Sequence, residues 1–149
     1  MNKSEAINEL AAALAKAQGQ MAGAKKDQTA TITSRKTGQT HKYNYVTMES
    51  IVEAIRGPFA ENALAYTQLP VYSGENEVRV ETVLFHSSGQ WISNEVRIPV
   101  DVADAQGFGS AFTYARKYGL GAIAGVPAID DDDGAAAVSA AKPRPTEAQ

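Results

Sequence analysis

A chain of 149 residues, 44% hydrophobic and 21% charged, is the size of one ordinary folded domain. With fourteen Lys and Arg against seventeen Asp and Glu, the net charge is -3, which excludes a histone-like or ribosomal type of basic protein. The absence of cysteine excludes a disulfide scaffold, a thiolate metal site and a cysteine nucleophile.

The charge is unevenly spread. Residues 1–129 carry twelve basic and twelve acidic side chains, so the body is neutral, and the whole excess sits in the tail with Asp130, Asp131, Asp132 and Asp133. Between Lys25 and Lys42 five bases (Lys25, Lys26, Arg35, Lys36, Lys42) face one acid, Asp27, a local surplus that makes this stretch a candidate anion contact. The tail composition, small residues with an x-P-x-P pattern and no aromatic anchor, predicts disorder over 130–149 and a folded domain over 1–129.

In chain order, residues 4–18 place Ile7, Leu10, Ala11 and Leu14 on one stripe of an amphipathic helix, with Gly19 or Gly23 ending it. The interruption of this segment by Glu5, Glu9 and Lys16 leaves no apolar run for a signal peptide or membrane span, and a soluble, cytoplasmic protein is expected. The Thr-rich segment from Thr29 to Tyr45 predicts a short hairpin or an extended arm turning at 36–39. Thr47 is placed to cap a helix with Met48, Ile51, Val52 and Ile55 on its buried stripe, which Gly57-Pro58 should break or restart, with a last turn through Phe59 to Asn62. Three strand-like runs follow, Leu64–Tyr72, Glu77–His86 and Trp91–Ile98, with Ser87-Ser88-Gly89 as the second turn. Asp104 can cap a last helix whose apolar side is Phe108, Ala111, Phe112 and Ala115, leaving Ser110, Thr113, Tyr114 and Lys117 opposite and Arg116 on the flank. The expectation is an α+β domain, an antiparallel three-stranded meander packed by helices on one side.

Several chemistries find no support. Gly19–Lys25 has neither the spacing nor the hydroxyl of a nucleotide phosphate loop, and no cofactor is expected. Aligning Gly134 on a calcium-loop glycine puts Ile129 and Ala140 at ligand positions, which rejects that loop. His41 and His86 are isolated and no nucleophile elbow is present, so an enzyme is not expected; a nuclease would need carboxylates that the scattered Glu49, Glu53 and Glu81 do not cluster. What packing leaves over is a set of basic residues interleaved with tyrosines: Arg35, Lys36, Lys42, Tyr43 and Tyr45 in the arm, and Tyr114, Arg116, Lys117 and Tyr118 in the last helix. Cations neutralise phosphates and aromatic faces stack on any base, so this pairing points to single-stranded nucleic acid; Arg56 adds a further candidate cation.

The stretches KYNYVTMESIVEAIRGPFAENALAYTQ, VETVLFHSSGQWISN and QGFGSAFTYARKYGLGAIAGV followed by DDDDG resemble, in that order, the ERF (essential recombination function) family of phage single-strand annealing proteins. The resemblance spans Tyr43 to Gly134, and GSAFTYARKYGL is its most specific block. It implies a βββα core, binding of single-stranded DNA without ATP, assembly into rings or helical filaments, and annealing of complementary strands in recombination. It also implies that Arg116 and Lys117 line the DNA groove, with the annealed duplex as product and a host single-strand-binding protein or a phage exonuclease as candidate partners. The roles of Lys25, Lys26, Arg35 and Lys36 rest on local charge alone. The rival reading is an oligomeric adaptor of the same fold that binds no nucleic acid. The acidic run is expected to compete with DNA for the basic surface or to contact a partner.

Overall fold

The computed structural model describes residues 1–21, 28–33, 36–71 and 76–126, with backbone alone for 28–32 and 41–45. Its elements are β1 (Asn2–Lys3), α1 (Asn8–Gln20), β2 (Gln28–Thr33), β3 (Thr40–Tyr45), α2 (Met48–Glu61), β4 (Leu64–Val71), β5 (Glu77–His86), β6 (Trp91–Pro99) and α3 (Ala105–Ala124). The fold is α+β: an antiparallel sheet in the order β1-β6-β5-β4, three helices, and a separate two-stranded hairpin of β2 and β3. The expected three-stranded sheet therefore has a fourth strand. Asn2 and Lys3 pair with Ser93 and Ile92 on the free edge of β6, a contact too short to leave a period-2 signal in sequence.

The alternation of β5 sets the layers. Val78, Val80, Thr82 and Leu84 are buried under the helices, while Arg79, Glu81, Val83 and Phe85 share the opposite face. One core cluster joins Leu10, Ala13 and Ala17 of α1 to Ile51, Ile55 and Phe59 of α2, Leu64, Leu84, Leu120 and Ala124; a second joins Val78, Val80 and Val100 to Ala111 and Ala115 of α3.

Named contacts set most of the helix ends. In α2 the Thr47 side chain accepts from the Ser50 N–H at 3.2 Å. In α3 Asp104 Oδ1 accepts from the Gly107 N–H at 2.7 Å, and the left-handed Gly125 (φ 70°) lets the Val126 N–H reach the Gly121 carbonyl at 3.1 Å. α1 starts later than residue 4 because its cap comes from another element: Gln90 Oε1, in the β5–β6 turn, accepts from the N–H groups of Glu9 (2.8 Å) and Leu10 (3.1 Å). Its buried stripe is consequently Leu10, Ala13 and Ala17, with Leu14 partly covered and Ala11 exposed, and the helix runs through Gly19 to Gln20. Gly57-Pro58 does not break α2 either; the helix continues to Glu61 because Phe59, 4% exposed, anchors that last turn in the core. Residues 130–149, expected as a disordered tail, and Tyr72 lie outside the described residues.

Candidate nucleic-acid interface

The outer face of α3 follows from what the helix must bury. Ala111, Ala115 and Gly119 are small, and the helix lies so close to the sheet that a Cβ on Gly119 would stand 2.6 Å from Thr82 Oγ1. Gln68 of the edge strand β4 locks that approach, its Nε2 donating to the Arg116 carbonyl (2.7 Å) and to Thr82 Oγ1 (3.1 Å). With this side and the Leu120–Ala124 side packed, the larger side chains one helical turn apart on the remaining face must point outward.

Those side chains are Tyr114 and Tyr118, 46% and 56% exposed. Their rings are stacked at 6.0 Å between centroids with 12° between planes. Lys117 Nζ lies 5.0 Å from the Tyr114 centroid and 5.1 Å from that of Tyr118, a cation held beside two aromatic faces at once. Arg116 points elsewhere, since successive helical residues are turned by about 100°; its guanidinium lies 5.7 Å from the Phe112 ring. The expected basic pair is thus divided between a tyrosine-backed lysine and a flanking arginine. Phe108, assigned by the sequence reading to the packed side, is 36% exposed, because it belongs to the first turn of α3 where the sheet gives less cover.

The other candidates are dispersed. Lys36 is exposed in the turn of the β2–β3 hairpin. Lys42, Tyr43 and Tyr45 lie on β3, their backbones in register with Thr31, Ala30 and Gln28. Arg56 lies on α2, 3.8 Å from Glu53, at the rim of a groove of about 330 Å3 between α2 and β4 lined mainly by apolar residues such as Val52, Phe59 and Leu64. Lys25, Lys26 and Arg35 lie outside the described residues.

Charge on the far face of the sheet is spent internally. Glu95 Oε1 accepts from Arg79 Nε (3.0 Å) and Nη2 (2.8 Å) and from Arg97 Nε (2.9 Å). These two guanidiniums, Arg79 first, hold the Glu95 carboxyl below its ordinary pKa. His86 has a local structural use: its Nδ1 accepts from the Ser88 N–H at 3.1 Å and meets Ser88 Oγ at 2.9 Å, closing the β5–β6 turn. Among the described residues no group of three His, Cys, Asp or Glu could hold a metal ion, and no helix is long and apolar enough to cross a membrane.

Tyr118 belongs with Tyr114, Arg116 and Lys117 to the basic and tyrosine set expected from the sequence, and its four-residue spacing from Tyr114 is what places the two rings side by side. No curated protein and no solved structure matches the chain. A family model, the ERF superfamily, matches residues 10–149, which extends the likeness beyond Tyr43–Gly134 to α1, the hairpin and the C-terminal segment. The chain belongs to the ERF superfamily, and with it, at a coarse level, to the single-strand annealing and recombination proteins of phages.

Proposed function

We propose that this protein binds single-stranded DNA along the outer face of α3 and anneals complementary strands without a nucleotide cofactor, as a homo-oligomer in the cytoplasm of a bacterial host. The observation that carries the reading is Lys117 held over the two exposed, near-parallel tyrosine rings. A cation so placed neutralises a phosphate without paying for the desolvation of a buried charge, and it gives no base a preference. Sequence selection is left to Watson–Crick pairing between the strands. Binding both strands at cationic surfaces lowers the repulsion that slows their pairing, and no covalent step is needed, so the protein is not an enzyme. In this reading Arg116, and the bases Lys36 and Lys42 of the hairpin, supply further cations, and Tyr43 and Tyr45 further aromatic contacts.

The test is a salt titration of single-strand affinity. Each phosphate contact contributes about 0.7 to the slope of log K against log salt for a single strand. Replacing both Arg116 and Lys117 by Ala is expected to weaken binding and flatten that slope by about one unit or more. A folded double variant with unchanged affinity and slope would remove α3 from the DNA surface. A wild-type chain that binds no strand at all would favour the adaptor reading instead.

A further inference from the structure

We propose that Tyr114 and Tyr118 are the residues by which this protein distinguishes a single strand from a duplex, a proposal that rests on the single-strand reading of α3. Cations alone give the wrong preference. Duplex DNA carries a phosphate about every 1.7 Å of axis, twice the linear density of one of its strands, so a surface of Lys and Arg favours the annealed product over the substrate. Aromatic faces reverse that order. A base in a duplex is covered above and below by its neighbours, whereas an unpaired base has a face free to lie on a ring.

The geometry on α3 suits that role. Two rings within 12° of parallel and 6.0 Å apart present one oriented aromatic platform rather than two independent side chains. Both side chains are about half exposed, so the pair is reached from solvent without opening the core. Lys117 lies almost equally far from the two centroids, to one side of the line joining them, where a phosphate of the stacked nucleotide can take its charge. A base resting on a ring keeps its pairing edge free. It can therefore be tested by an incoming strand while still held, and on pairing it restacks in the duplex and leaves the ring, so the same contact that selects the substrate loosens the product.

The experiment uses the full chain and three dye-labelled probes of one length in fluorescence anisotropy at one salt concentration: a mixed-sequence single strand, its blunt duplex, and a single strand with a central run of abasic sites. Replacing both Tyr114 and Tyr118 by Ala is expected to weaken intact single-strand binding about 5- to 150-fold, the value of one lost stack, while duplex affinity changes less than about twofold. Wild-type protein is expected to bind the abasic strand about 5- to 150-fold more weakly than the intact strand, a comparison that needs no variant to fold. Tyr114→Phe with Tyr118→Phe is expected to keep the preference. Equal losses on single strand and duplex, or undiminished wild-type affinity for the abasic strand, would overturn the proposal while leaving single-strand binding intact. A double variant whose sedimentation changes but whose strand preference does not would make the tyrosines a subunit contact. Failure of the wild-type chain to bind any of the probes would remove the single-strand reading itself.

Discussion

Ala63 and Glu95 show how single residues carry costs and gains that no other part of the fold would reveal. Ala63, at the junction of α2 and β4, is the only non-glycine residue with positive φ among the described residues, at 55°. Its carbonyl accepts from the Ser87 N–H at 3.0 Å, so the strained conformation is held by the β5–β6 turn. Removing the Cβ relieves the strain, and Ala63→Gly is expected to raise stability by up to about 1 kcal/mol, read as an increase in thermal midpoint; a lower midpoint would mean that the unfolded chain gains more from glycine than the fold does. Glu95 works through pH. Because Arg79 and Arg97 lower its folded pKa, it contributes stability above the ordinary carboxylate range and loses it as pH falls through the folded value. Stability of the wild type should therefore fall more steeply on acidification than that of Glu95→Gln, in thermal melts from neutral pH downward. Parallel curves would show that the ion pairs of Glu95 are not coupled to folding.

At the scale of elements, the placement of α3 decides which of its side chains face outward. Gly119 permits the close approach to Thr82, and Gly119→Ala must push the helix away from Thr82 Oγ1 or displace that hydroxyl from Gln68. A loss of about 1–3 kcal/mol is expected, and the loss should shrink when Thr82→Ala is added, because the clashing oxygen is then gone. Equal losses in both backgrounds would locate the strain elsewhere. The starts of α2 and α3 were legible because Thr47 and Asp104 are short acceptors standing before periodic apolar residues. The strands were legible because β5 alternates strictly. What sequence could not carry was set by partners distant in the chain: the cap that Gln90 lends to α1 and the addition of β1 to β6. The site was legible to the same depth. The spacing of Tyr114, Lys117 and Tyr118 put them near one another, but the stacking of the rings and the turning of Arg116 onto Phe112 are tertiary outcomes.

The whole molecule is a one-sided sandwich: helices cover one face of the sheet, and the hairpin of β2 and β3 stands as a separate sheet. A two-stranded hairpin is marginal by itself in water, and β2 and β3 pair only with each other among the described strands. Among the described strands β4 ends the sheet, with no further strand paired to its outer side. All of these features serve one claim, that the protein brings complementary strands together. The most direct measurement is the rate of pairing of two complementary dye-labelled oligonucleotides, followed by energy transfer with no nucleotide present. The account predicts faster pairing than in the protein-free control, with the acceleration lost when Arg116 and Lys117 are both replaced by Ala. Tight strand binding with no acceleration would contradict it and leave a single-strand binder that does not anneal.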